Sequence, residues 1–278
     1  LITQTIAGDL IPQLWETDIE YDVNNVRGVA PLTLDTGSKY FGTGKTVNWP
    51  RVPSLPSANV KTNYPTVTYA DPSTTVNVTA TPTVVYTGLI LQEDVLLTTM
   101  SDASQIYSPL LGEGLYQKLD ADILALHGSF TPTTVTDAAG WTEPNWALAL
   151  ERLLESGGDK VQIGGISAVY DVTQWGNIMT TGNAVSAAYR GESNGAAKTG
   201  MLDTIYGVKF LFTANVTGTD PASNNMIFAK KAIWIARKNR PKVEMERTDL
   251  TLKILASHMY SVQILNAKLG IKHVTTTS

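Results

Sequence analysis

Between Thr46 and Gln92, apolar and hydroxyl side chains take turns along the chain, as in Thr66-Val67-Thr68-Tyr69, Thr75-Val76-Asn77-Val78-Thr79 and Thr83-Val84-Val85-Tyr86. Alternation of β-branched and small polar residues gives a strand two unlike faces and predicts β-structure. Pro50, Pro53, Pro56, Pro65, Pro72 and Pro82 each remove a ladder donor, which suits edge strands and turns better than a central sheet. The stretch therefore predicts a long, exposed β-hairpin with its tip near Pro53–Pro65. Such an arm has too little core to stand alone and needs a neighbouring surface.

The period then changes. Leu111, Leu115, Leu119, Ile123 and Leu126 recur at three- and four-residue steps and lay one apolar stripe along a helix. Ser108-Pro109 is expected to supply its N-cap and a first-turn proline. An earlier turn from Asp102 would extend the element to roughly 35 Å. Gly112 and Gly114 each cost about 1 kcal/mol relative to Ala in a helix interior, so packing must hold it. Further on, Asn145 is expected to cap a helix over Trp146–Leu154, closed by Ser156-Gly157-Gly158. Val161–Tyr170 predicts a buried strand, and Val172–Met179 a helix begun by Asp171. Gly182–Gly200 reads as a mobile loop, and Thr204–Ala214 contains a strand. The remainder predicts strands over Met226–Ala236, Lys242–Glu246, Leu250–Ala256 and Met259–Val274, with Gly270 as a bulge in the last. Residues 1–38 read as an acidic extended arm, with Leu14 and Trp15 as anchors and a short helix near Ile11–Ile19. The fold class is α+β.

Composition sharpens this picture. The 278 residues suffice for one large domain or two interleaved ones. Hydrophobic residues make up 43%, but charged residues only 17%, against about a quarter in an average protein. So few charges point to a surface hidden by self-association or clothed in Thr, Ser and Asn. The net charge of −4 argues against a dedicated nucleic-acid binder. There is no cysteine, so disulfides and thiolate metal sites are excluded. The apolar runs are too short to cross a bilayer, and no membrane partner is expected.

Candidate chemistry is sparse. His127, His258 and His273 lack metal-ligand spacing, although His258 and His273 could meet across strands. Gly42-Thr43-Gly44-Lys45-Thr46 resembles a phosphate loop superficially, but Lys39 stands where the pattern requires glycine, and a turn is expected instead. No Gly-x-Ser-x-Gly run occurs. No catalytic residue, cofactor or metal is therefore expected, and the chain is not expected to be an enzyme. The most basic cluster is Lys230, Lys231, Arg237, Lys238, Arg240 and Lys242. Glu244, Glu246 and Asp249 are expected to pair with it, within the chain or between subunits.

The order of these pieces resembles the HK-97-like major capsid proteins of tailed double-stranded DNA phages. Three phrases carry the local resemblance: Leu202-Asp203-Thr204-Ile205-Tyr206-Gly207-Val208, Asn225-Met226-Ile227-Phe228-Ala229-Lys230-Lys231-Ala232-Ile233, and Ser257-His258-Met259-Tyr260-Ser261-Val262-Gln263-Ile264-Leu265. In the last, Ser261 stands where the family often has glycine. The resemblance implies an N-terminal arm over 1–38 and an E-loop hairpin over 39–88. It places a peripheral domain with the spine helix at 89–130 and 241–260, and an axial domain with the closing strand at 131–240 and 261–278. It implies hexamers and pentamers of an icosahedral shell around packaged DNA, in a virion assembled in the host cytoplasm. Scaffolding, portal or decoration proteins would be partners, and DNA would be touched non-specifically if at all. Trp49, Arg51, Tyr64, Val76 and Tyr86 are the expected inter-subunit contacts. Some members cross-link Lys to Asn; Lys39, Lys45 and Lys61 lie near the hairpin, but no motif selects one and no cross-link is predicted. Two rival readings are an encapsulin-like compartment and a β-rich carbohydrate-binding or fibre protein. The latter leaves the long helix unexplained.

Overall fold

The computed structural model describes residues 28–40, 44–51, 76–92, 103–158, 161–180, 204–219, 222–248 and 251–276. The apolar stripe forms helix α1, Ala103–Leu124, followed by a 3-10 turn at Ala125–Ser129. Leu111, Leu115, Leu119 and Ile123 are buried along it. Pro109 lies inside this helix rather than at its first position, so Ser108 does not cap it. The first turns precede the proline, which has no N–H to donate back into the helix.

The described strands form three sheets. The short strand β1 (Leu34–Asp35) lies parallel to β11 (Ile233–Arg237), and the root of the hairpin is β2 (Val47–Arg51) paired with β3 (Val76–Ala80). Residues 52–75, including the expected tip, lie outside the described residues. β4 (Thr83–Gln92) runs along one edge of the 14-residue β13 (Thr251–Ile264). β12 (Lys242–Thr248) and β11 lie end to end along its other edge. This five-stranded sheet packs on α1 through Leu91, Leu111, Leu115, Val243, Ile254 and Ala256.

A seven-stranded mixed sheet forms the second layer, in the order β5 (Val135–Asp137), β14 (Gly270–Thr276), β10 (Ala222–Ala229), β6 (Ile166–Asp171), β8 (Val208–Thr213), β7 (Thr204–Ile205), with β9 (Gly218–Thr219) beside β10. Helix α2, Glu143–Gly157, covers it through Trp146, Ala149 and Leu153, and α3, Gln174–Thr180, adds Ile178. Trp146, Tyr170 and Phe210 meet in an aromatic cluster with ring centroids 4.9–6.1 Å apart.

Several local expectations change. The hairpin is shorter than 39–88, because Thr83–Gln92 is a strand of the five-stranded sheet, its inward residues Leu89 and Leu91 packed under α1. The stretch Met226–Ala236 is two strands in two sheets, broken at Lys230–Ala232, so the sheets change over there rather than at 240. Leu250–Ala256 and the start of Met259–Val274 merge into β13. The latter run ends at Ile264, and Gly270 opens a new strand instead of forming a bulge. A Cβ at Gly270 would run into the Phe130 ring, so close packing selects glycine there. α2 begins at Glu143, not at Asn145, whose amide instead reaches Asp137. α3 starts three residues after Asp171, whose carboxylate accepts from the Thr173 N–H at 2.8 Å in a local turn. Residues 1–27 and Gly182–Gly200 lie outside the described residues.

Candidate assembly surface

An antiparallel sheet with a helix on one face ordinarily turns polar side chains to water on the other. The β12–β13–β4 sheet does not. Strict alternation in β4 sends Val85, Leu89 and Leu91 toward α1 and leaves Val84, Tyr86 and Ile90 outward, 59%, 71% and 65% exposed. The register brings Leu255 opposite Gly88 and Ile90 opposite Lys253, and β12 adds Glu244 beside Leu255 and Glu246 beside Lys253. The result is an apolar strip of Val84, Tyr86, Ile90 and Leu255 rimmed by two acids and one lysine. A shallow depression of about 630 Å³ runs over it, floored by Gly88, Met245 and Ile254. Gly88 keeps the floor low: a Cβ would come 3.2 Å from the Ile254 carbonyl oxygen. The rim charges interact weakly, Lys253 Nζ standing 3.9 Å from Glu246. A contiguous apolar patch of this kind marks a contact surface.

The expected contact residues fall in two places. Trp49, in β2, is half-buried against Trp234 of its own chain, ring centroids 5.3 Å apart, with the Lys39 ammonium 5.6 Å from its ring centroid. Val47, Ala80, Ala236 and Leu265 complete that small core. Arg51 and Val76 face each other across the hairpin root in the strand register. Tyr86 stands on the outward apolar strip, and Tyr64 lies outside the described residues. Sequence reasoning missed Val84, Ile90 and Leu255. A signal was present, since both alternation phases of residues 84–91 are apolar, as in a strand covered on both faces.

His258 and His273 are buried, the latter beside Asp137 and Tyr170. His273 Nε2 meets Asp137 Oδ2 at 3.0 Å, and its Nδ1 meets the Tyr170 hydroxyl. Asp137 also accepts from the Thr142 N–H and hydroxyl at 3.0 and 2.7 Å and from the Asn145 amide. Burial raises the Asp137 pKa, but these hydrogen bonds, led by that of His273, outweigh it and hold the carboxyl below its ordinary value. The network joins β5, β14, β6 and the start of α2, and Asp137, Tyr170 and His273 are buried at its centre. His258 does not meet His273; it belongs to the other sheet, 5.3 Å from the Tyr260 ring. Among the described residues no group of three or more His, Asp and Glu could hold a metal. Gly44-Lys45-Thr46 leads into β2 rather than a helix, so it lacks phosphate-loop context.

The basic cluster is divided. Arg237 is buried, its Nε 2.7 Å from Asp35, whereas Lys230 and Lys231 form a turn between the sheets. Glu246 stands beside Lys253 of the adjacent strand, and Asp249 lies outside the described residues.

No protein-family profile matches the sequence, and no curated protein does. Solved structures do match in shape. The capsid of the cyanophage P-SCSP1u superposes with a TM-score of 0.69 at 13% identity, covering 89% of this chain and 87% of that one. The capsid of cyanophage Pam1 gives 0.66 at 13% identity over 90% and 92%. A virus-like particle from Pyrococcus furiosus gives 0.61 at 11% identity over 95% and 98%. The chain has the α+β, HK-97-like capsid fold.

Proposed function

We propose that the chain is the major capsid protein of a tailed double-stranded DNA phage, self-assembling into hexamers and pentamers of an icosahedral shell around packaged DNA. The observation that carries this reading is the match to capsid subunits over about nine-tenths of both partners. A subunit that fills the whole of such a match has the size and layout of the shell element itself. The outward apolar strip supports it, because a protomer exposing Tyr86, Ile90 and Leu255 together is incomplete without a partner.

In this reading the seven-stranded sheet with α2 is the axial unit, meeting copies of itself head to tail in closed rings. The five-stranded sheet with α1 is the peripheral unit. The hairpin that starts at β2 extends over a sister subunit, with residues 1–27 as a further arm. Each 1000 Å² of apolar surface removed from water contributes roughly 25 kcal/mol before ordering costs, so many modest contacts hold a shell without one strong site. Trp49, Arg51, Tyr64, Val76 and Tyr86 are the proposed hairpin-side contacts. The role is structural, in the virion, with assembly in the host cytoplasm. Scaffolding, portal and decoration proteins are the natural partners, and DNA is contacted non-specifically.

Electron microscopy and light scattering on the purified chain test the proposal. Megadalton shells are expected, containing DNA when isolated from infected cells. A monomer or trimer at high concentration overturns it, and particles loaded with a host enzyme instead of DNA move the chain to the compartment class.

A further inference from the structure

We propose that the groove between α2 and the turn at Tyr206 is a docking site for a separate protein that presents a basic amphipathic helix. The groove lies on the seven-stranded unit and stands independently of the shell reading. The sequence of α2 builds it. Glu143, Ala147, Glu151 and Glu155 follow one another at four-residue steps and share one side of the helix, with Leu150 and Leu154 on the adjoining ridge. Trp146, Ala149 and Leu153 are buried against the sheet, which leaves Ala147, Glu151 and Glu155 exposed and Leu150 and Leu154 half-buried. Tyr206 closes the other side, and the depression between measures about 660 Å³. Its floor is aliphatic, its rim carries the carboxylates of Glu151 and Glu155, and no Lys or Arg lines it.

Tyr206 is a second, independent sign. Ile205 pairs with Val208, so Tyr206 and Gly207 alone make the β7–β8 turn, with φ of +51° and +79°. A two-residue turn with both φ positive ordinarily holds Asn-Gly, because a bulky side chain is strained there. Among the described residues Tyr206 is the only non-glycine with positive φ, and its ring gains little burial in return, being 54% exposed. Its hydroxyl donates to Glu143 at the start of α2, which fixes the ring as a wall of the groove. Strain kept at an exposed aromatic points to a contact with another molecule. The partner's chemistry follows from the walls. β7 is two residues long and α2 bonds its own backbone, so an added strand finds no ladder to join. A side-chain-lined channel along a helix takes a second helix, apolar stripe inward. Carboxylates without a base on the rim select lysines or arginines flanking that stripe. None of the described helices of this chain has that form: α1 carries only Lys118, paired with Asp122, α2 only Arg152, bound to the Thr133 and Thr134 carbonyls, and α3 no charge. The helix therefore comes from another protein.

The test titrates the full-length protein, unassembled and as particles, with a fluorescent amphipathic helix of Leu and Lys about 15 residues long, carrying a photo-crosslinker, and with its Leu and Glu twin. Saturable binding of the lysine peptide is expected, with crosslinks to Tyr206 and to residues between Ala147 and Glu155, and none of the glutamate peptide. Glu151→Lys with Glu155→Lys should weaken binding about tenfold, whereas Tyr86→Glu with Ile90→Glu on the other sheet should leave it unchanged. Tyr206→Asn separates a docking role from a structural one: the melting temperature holds or rises, because Asn suits the turn, while affinity falls about tenfold. Failure of the lysine peptide to bind, equal binding of the two peptides, crosslinks on the β4 strip, or a Tyr206→Asn variant of unchanged affinity or lower melting temperature each overturn the inference. A groove that binds in the unassembled chain but is closed in particles also overturns it, since the occupant is then a second copy. Should no particles form, the shell reading falls and the unassembled chain alone decides the groove.

Discussion

Where the chain passes beneath Tyr116, a Cβ on Gly28 would fall on the phenol oxygen, inside any van der Waals contact. The adjoining amides of Val29 and Ala30 are satisfied by the buried Asp120 carboxylate. Burial pushes that carboxyl above its ordinary value despite hydrogen bonds from Tyr116, Val29 and Ala30. Gly28→Ala must therefore displace the tyrosine or the strand, and we expect a loss of about 1–3 kcal/mol in urea denaturation. A change near zero would show that the contact is not rigid. His258 sets a pH dependence of opposite origin. Burial, reinforced by the positive charge of Arg237, pushes its imidazole from 6.5 down to about 3. Between these values the unfolded chain binds a proton that the folded chain refuses, so stability falls as pH drops from 6.5 toward 3. The slope from this residue is on the order of 1 kcal/mol per pH unit, and denaturation of a His258→Gln variant across that window should show it reduced.

Elements were legible where one period ran unbroken. The leucine stripe of α1 foretold its span to within a few residues, although Pro109 has the look of a helix start and is internal. Strand boundaries were harder to read. β10 and β11 are separated only by Lys230–Ala232, and every residue from Met226 to Ala229 and from Ile233 to Arg237 is buried, so the break shows in the sequence as just two lysines within an apolar run. Asn145 has the side chain of a cap, yet the helix begins one step after Thr142, whose hydroxyl donates to Asp137 rather than capping. The apolar strip was hidden for a similar reason: Val84, Tyr86 and Ile90 look like core in sequence, and only the position of α1 decides which phase is outside. The strip can be tested at the level of its own strand. Tyr86→Glu with Ile90→Glu should leave the stability of the isolated subunit within about 0.5 kcal/mol, since both side chains already face water. The same pair should abolish particles in electron micrographs; intact particles would remove the strip from the assembly surface.

For the whole molecule, the low charge content fits either self-association or a surface of Thr, Ser and Asn, and the order of long helix and closing strands agrees with the fold. What composition could not convey was how the two sheets share the chain, because that depends on contacts between residues far apart in sequence. Deleting residues 53–65 should leave both sheets and α1 folded. Circular dichroism should be near normal while shells fail to form, and normal shells would deny the hairpin tip its role.

The chain passes between the two sheets through α1, from β4 to β5, and by the short bridges Lys230–Ala232 and Leu265–Leu269. These bridges are stitched together, the Ala232 carbonyl accepting from the Leu265 and Asn266 N–H groups at 2.8 and 3.1 Å. Ile233, Ile235 and Tyr260 of one sheet share a buried cluster with Ile227, Phe228 and Ile271 of the other, so any tilt between the halves has to slide that core as well as flex the bridges.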